Sequence, residues 1–232
     1  MILYVIPTPL GGSAAESLPG PALEIIRGLR HFVAESPKTA RGFLGAVKMP
    51  VAMHEISITT LDEHTPQRDV EALLQPLRDG HALGLLSEAG CPAIADPGAQ
   101  LVEAAHREAF RVRPLVGPSS LVLALMASGL EGQRFAFCGY LPREAAEREK
   151  RIREIEKRSR SEKETQIFIE TPYRNEALLA SLLSACSPAS LLGIAADLTL
   201  ATESIHTRSI AEWRKAHPAI GKRPAVYLLY AG

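Results

Sequence analysis

No stretch of the sequence approaches the ~20 consecutive apolar residues that a membrane-spanning helix needs, so no membrane association is expected. The N-terminus runs straight into an apolar strand pattern with no basic segment ahead of it, and no secretory leader is expected either. Cysteine is scarce. Cys91, Cys138 and Cys186 are far apart, odd in number and without CxxC or Cys/His spacing, which argues against a disulfide framework or a structural metal. They fit reduced thiols in the cytoplasm. Charge of one sign is also lacking, with 26 basic and 26 acidic residues. That argues against the broad basic field of a dedicated nucleic-acid binder and leaves room only for a local basic stripe. No GxGxxG occurs, so the common dinucleotide-binding signature is missing. There is no internal repeat and no low-complexity linker.

What is present is a run of short apolar strands alternating with helical patterns, the composition of a globular protein. Ile2–Ile6, His31–Glu35, Glu55–Thr59, Leu83–Leu86 and Arg111–Val116 read as strands. Pro21–Leu29, Pro37–Val47, Gln67–Arg78 and Ala99–Glu108 read as the helices between them. Strand, helix, strand, helix implies a parallel sheet covered on both faces.

Residues 83–98, LGLLSEAGCPAIADPG, organise this half. An apolar strand breaks into a loop with a glycine at Gly90 that lets a ligand approach the backbone, stiffening prolines at 92 and 97, and carboxylates at Glu88 and Asp96. Ligands of open α/β sheets bind beyond the carboxyl ends of strands, and two carboxylates suit a cation better than a phosphate. The alternative is an ordinary connection, although the loop exceeds the usual ~2–6 residues. PTPLGG at 7–12 is a second shaped loop at a strand's carboxyl end. GPSS at 117–120 follows the fifth strand and leads into an apolar helix, Leu121–Ser128, expected to be buried between layers. Ser119 and Ser120 can serve there as ligand contacts or simply as the helix N-cap.

The second half reads as strand Arg134–Tyr140, a charge-dense helix over 143–164, strand Thr165–Glu170, helix Asn175–Ala185, strand Leu191–Ala196, an extended segment Leu198–Arg208, a short helix and strand Pro224–Tyr230. Two strands with little between them imply a hairpin, hence a mixed sheet. The charged helix carries four acid-first i,i+4 pairs, Glu147/Arg151, Glu149/Arg153, Glu154/Arg158 and Glu156/Arg160, as a solvated helix would. Lys150, Arg153, Lys157 and Arg160 also share one face and form a candidate basic stripe.

The ordered motifs PTPLGG, SEAGCPAIADPG (87–98), GPSS, FCGYLPRE (137–144), ETPYR (170–174) and Glu63-His64-Thr65 resemble those of the tetrapyrrole-methylase superfamily, class III methyltransferases dependent on S-adenosyl-L-methionine (SAM). Within it the chain most resembles the ribosomal small-subunit RNA 2′-O-ribose methyltransferase I group, over essentially its whole length. The resemblance implies two α/β domains, 1–116 with a parallel sheet and 117–232 with a mixed one, and SAM in a cleft between them. It further implies a homodimer, no metal, and RNA or the small ribosomal subunit as partner. Carried over position by position, its cofactor contacts fall on Pro7, Ser87, Glu88, Ala89, Gly90, Ile94, Ser119, Ser120, Glu170, Ala195 and Ala196.

A ribose hydroxyl needs a general base. Glu88, Asp96 and Glu170 are the catalytic candidates, with Glu203 and His64 behind them; for each carboxylate the plainer role is to hold a loop or strand end. The chain departs from the family where EDTR becomes Glu35-Ser36-Pro37-Lys38 and where RELTK becomes Ala196-Asp197-Leu198-Thr199-Leu200. Those losses remove cations that could meet phosphate, so a weaker hold on the family's RNA is expected. A small-molecule substrate such as a tetrapyrrole, a protein substrate, and an inactive SAM-binding protein are the alternatives.

Overall fold

The computed structural model describes residues 1–216 and 218–232. The chain divides into two compact units, Met1–Ser119 and Ser120–Gly232.

The first unit runs β1 (Ile2–Ile6), α1 (Ala14–Ser17), α2 (Gly20–Gly28), β2 (His31–Ala34), α3 (Pro37–Val47), β3 (Ser57–Thr60), α4 (Gln67–Val70), α5 (Gln75–Arg78), β4 (Leu83–Leu86), α6 (Ala99–Arg107) and β5 (Arg111–Pro114). All five strands are parallel, in the order β3-β2-β4-β1-β5. β1 and β4 are neighbours, with Ile6 opposite Leu86, so their two glycine- and proline-bearing loops leave the sheet side by side. One apolar layer packs Ile6, Phe32 and Leu86 against Leu23, Ile26 and Leu44 of α2 and α3. The opposite layer packs Leu3, Val33 and Leu85 against Leu74, Leu77 and Leu101. Burial on both faces explains why the inner strands β1, β2 and β4 read as mostly apolar runs, whereas the edge strands β3 and β5 are largely exposed.

The helix expected over Gln67–Arg78 is interrupted. A 3-10 turn, Glu71–Leu74, separates α4 from α5. Pro76 has no N–H to give and its ring crowds the carbonyl four residues back, which breaks a regular helix at that point. α1 lies in the stretch that the sequence pattern left unassigned.

The second unit runs α7 (Ser120–Ser128), β6 (Phe135–Tyr140), α8 (Ala145–Glu162), β7 (Thr165–Glu170), α9 (Asn175–Ala185), β8 (Leu191–Ala196), β9 (Ser204–Ser209), α10 (Ile210–Ala216) and β10 (Ala225–Tyr230). Its sheet is mixed, in the order β6-β7-β10-β8-β9, with only β6 and β7 parallel. Leu192, Ile194, Phe168 and Tyr227 face Ile152, Leu178 and Trp213 in its main core. α7 departs from expectation. It packs on β8, β9 and β10, yet only Ala124 and Ser128 are buried, and Val122 and Met126 are 50% and 75% exposed. A uniformly apolar helix shows no period, so its sequence could not tell a one-sided contact from full burial. No helix among the described residues is long and apolar enough to cross a membrane.

Candidate functional site

The loops after β1 and β4 are tied together by a two-residue bridge. The Thr8 N–H donates to the Gly90 carbonyl at 2.9 Å, and the Gly90 N–H returns to the Thr8 carbonyl at 3.1 Å. Ser87 Oγ donates to the same Gly90 carbonyl at 2.7 Å, and Thr8 Oγ1 to the Ser87 carbonyl at 3.3 Å. Gly90 therefore has no backbone donor to spare. It contributes a left-handed turn, φ 78°, and an absent side chain: a Cβ there would stand 3.1 Å from Leu10 Cδ2 and 3.7 Å from the Pro118 carbonyl oxygen. Gly117, after β5, is more tightly constrained, since a Cβ would stand 2.5 Å from Pro7 Cβ. Cys91 Sγ donates to the Pro118 carbonyl at 3.4 Å, and burial pushes its thiol pKa up, against the pull of a hydrogen bond with Ser119. Pro7, Ser87, Gly90 and Ser119 are thus brought to one end of the parallel sheet.

Ala93 and Ala95 both adopt left-handed φ, 65° and 62°. That conformation is unfavourable for a residue with a Cβ, and it brackets Ile94, which stands 49% exposed. Glu88 and Ala89 are exposed beside it.

Three carboxylates converge at this sheet end. Asp96 is pushed up to about 6, first by burial, then by Glu35 and Glu88. Glu35, at the end of β2, is raised by burial and by Glu88, Glu63 and Asp62. Glu88 Oε2 accepts from Thr39 Oγ1 at 3.1 Å. The sequence put Glu35 at a strand end and in a departure from the family pattern, but not among the site residues. The signal that it belongs to the site is that β2 and β4 are neighbours, which strand order along the chain does not reveal.

A pocket of about 360 Å³ opens beside these groups, walled by Thr39, Phe43 and Ala46 of α3 with Thr8, Leu86 and Glu88. Residues 39, 43 and 46 follow helical spacing and share one face. Pro37 at the first helical turn and Ser36 Oγ accepting from the Thr39 N–H at 3.3 Å fix where that helix begins.

In the second unit, Glu170 and Ala196 stand opposite Ala225 from the two sides of β10. Glu170 is buried. Its Oε1 accepts from the Thr171 N–H at 2.7 Å, from Arg174 Nε at 2.8 Å and from Arg174 Nη2, while Oε2 and Arg174 Nη1 are buried without a partner among the described residues. Ala195 and Ala196 are fully buried strand residues. Asp197 accepts from Thr202 Oγ1 at 2.9 Å and from Arg223 Nη1 at 3.4 Å, so a guanidinium stands at the strand end where the family pattern loses its own. Ser120 begins α7. His64 is exposed near Glu63, and Glu203 accepts from the Thr199 N–H at 2.8 Å.

On α8, Arg153 pairs with Glu149 at 2.8 Å and Arg160 approaches Glu156 at 3.9 Å, whereas Arg151 turns to Glu154 and Arg158 to Glu164. Lys150 and Lys157 form no ion pair among the described residues. No cluster of potential metal ligands occurs among the described residues.

A family model described as tetrapyrrole (corrin/porphyrin) methylases matches residues 3–213. The chain is 31% identical over 210 residues to the ribosomal RNA small subunit methyltransferase I of Escherichia coli O157:H7, covering 90% of this chain and 70% of that one. It is 32% identical over 213 residues to the protein of the same name from Vibrio cholerae serotype O1, covering 91% and 69%. Among solved structures, the methyltransferase CobJ superposes with a TM-score of 0.65 at 18% identity, covering 98% of this chain and 93% of that one. Uroporphyrin-III-C-methyltransferase from Thermus thermophilus gives 0.58 at 18% identity, covering 99% and 94%. At such identities the structural likenesses establish the fold.

Proposed function

The chain belongs to the tetrapyrrole (corrin/porphyrin) methylases and is a methyltransferase, and from that premise we propose that it moves a methyl group from SAM to a ribose 2′-hydroxyl of small-subunit ribosomal RNA. Relatives of about 31% identity carry an RNA substrate in their names, which supports RNA over a tetrapyrrole. The observation that carries the reading is the convergence of Glu35, Glu88 and Asp96 at the carboxyl ends of parallel strands.

The residues present suit SAM. Its sulfonium and ammonium are cations, and three carboxylates face this sheet end. Gly90 turns the loop at φ 78°, where a Cβ would press on Leu10 and disturb the contact between the loops. The reading assigns cofactor contacts to Pro7, Ser87, Glu88, Ala89, Gly90, Ile94 and Ser119 in the first unit, and to Ser120, Glu170, Ala195 and Ala196 in the second. Bound SAM supplies an already activated methyl group, and no metal is required. The protein's work is to align the nucleophile, exclude water and take one proton.

Asp96 is the best placed general base. A carboxyl held near pH 6 is ionised at neutral pH yet more basic than an ordinary aspartate, the compromise that proton transfer favours. Burial creates most of that basicity, and like-charge repulsion from Glu35 and Glu88 adds to it. Glu170 is a poorer base, because its Oε1 is occupied by Arg174 and Thr171 and the carboxyl is sealed from solvent. It fits the role of anchoring the strand end.

We assign a homodimer and a cytoplasmic location to the same reading. Exposed Val122, Met126, Phe135 and Phe137 on the second unit offer apolar surface for a second copy. Three free thiols suit a reducing compartment. The test is transfer of labelled methyl groups from SAM into a fractionated lysate. Label in the RNA fraction supports the reading; label confined to protein or small molecules overturns its substrate.

A further inference from the structure

We propose that the pocket between α3 and the end of β4 receives an unstacked nucleobase of the acceptor RNA, with Phe43 as its stacking face and Glu88 as acceptor for a base N–H. The inference rests on the RNA reading above and names a subsite that the reading leaves undefined. At about 360 Å³ the pocket lies at the small end of the ~300–1,000 Å³ typical of ligand sites, enough for one ring system and far too small for a duplex.

Its chemistry selects among the parts of a nucleotide. Pro9, Ala40, Phe43, Ala46 and Leu86 give it apolar walls that suit the face of a base. The carboxylate of Glu88 at its rim, with Glu35 electrostatically close, repels phosphate and accepts from an amino or imino N–H. Thr39 Oγ1 already bonds Glu88 Oε2 at 3.1 Å and so holds that carboxylate at the rim. The pocket shares only Ser87 and Glu88 with the proposed cofactor contacts and touches none of Gly90, Ile94 or Ser119, which leaves it to the other reactant. Glu88 lines this pocket and also bears electrostatically on Asp96, which sets the pocket beside the proposed base. Enzymes that modify a nucleotide commonly take its base out of the stack, and base-on-aromatic stacking is the usual hold on a splayed RNA base.

Two variants test the subsite. Phe43→Ala removes the stacking face. Gly42→Leu narrows the pocket from an exposed helical position where a Cβ meets nothing within 4 Å, so folding is not at stake. The ribose methylated by the parent is mapped, and an RNA oligonucleotide spanning it is prepared with and without the base at that nucleotide. The parent is expected to lose about 10- to 100-fold in kcat/KM on the abasic RNA, the range that stacking on one aromatic supplies. Both variants are expected to lose a similar factor on intact RNA, to be nearly indifferent to base removal, and to bind SAM like the parent by calorimetry. Variants that remain as sensitive to base removal as the parent overturn the subsite while leaving the RNA reading intact. SAM binding weakened tenfold or more by Gly42→Leu assigns the pocket to the cofactor and overturns it too. A parent that methylates no RNA overturns the RNA reading and this inference with it.

Discussion

Replacing Asp96 with asparagine should strengthen the fold and cripple the reaction, and both effects should trace to the raised pKa of this one carboxyl. In the folded chain Asp96 titrates near 6 instead of 3.8, raised by burial and then by Glu35 and Glu88. The folded state therefore binds this proton more tightly than the unfolded one. Its stabilising contribution is complete below about pH 4 and is lost as pH rises through 6. The displacement is about two pH units, each worth about 1.4 kcal/mol. Because the side chain keeps partial contact with solvent, ~1–3 kcal/mol is the expected cost of ionised Asp96 at pH 8. Asp96→Asn removes that cost, which corresponds to a melting point roughly 2–12 °C higher for a chain of this size. The advantage should hold from pH 8 down to nearly 6 and then shrink as pH falls towards 4. Loss of a general base typically costs ~10²–10⁴-fold in rate, and the parent's rate should rise through pH 6 to a plateau. Thermal melts across pH 4–8 and single-turnover methyl transfer with parent and variant check both arms. A variant that melts like the parent at pH 8, or that transfers methyl groups at the parent rate, refutes the reasoning about this cluster.

Three further substitutions probe the frame of the site. Gly117→Ala forces a Cβ to within 2.5 Å of Pro7 Cβ and should cost ~1–3 kcal/mol in denaturant unfolding through overpacking of the β1 and β5 ends. Glu170→Gln leaves the Arg174 guanidinium without its counter-charge and should cost about 3 kcal/mol, the low end for a broken buried pair because Arg174 keeps a quarter of its side chain exposed. Gly90→Val sets a β-branched residue at φ 78° and should diminish the SAM-induced rise in melting temperature by more than it lowers the melting temperature itself; a full SAM-induced rise excludes Gly90 from the site.

The central strands β1, β2, β4, β7, β8 and β10 were legible as short, mostly apolar runs, and the alternation with helices announced a parallel sheet. The hairpin of β8 and β9 followed from the short sequence distance between them. The division of Gln67–Arg78 turned on Pro76, whose effect on the preceding turn the apolar spacing masked. At the candidate site, loop composition drew attention to residues 7–12 and 87–98, but the partners of those loops depend on strand order. Nothing in the chain order β1, β2, β3, β4 says that β4 lies between β2 and β1, and it is that insertion which sets Glu35 beside Glu88. Thr39 and Phe43 were equally hidden, since an amphipathic helix face lining a pocket reads like one covering a core. On α8, charge pairing by spacing anticipated Glu149/Arg153 but not the turn of Arg158 to Glu164, which lies beyond the helix end.

The central claim is most directly tested by incubating the protein with labelled SAM, in the presence of a chelator, and small ribosomal subunits that lack the modification. The account predicts label in one small-subunit RNA nucleoside whose 3′ linkage resists alkaline hydrolysis, because a 2′-O-methyl group removes the hydroxyl that alkali uses for cleavage. Label released with alkali-labile nucleotides, carried on a base, or found only outside the RNA would contradict it.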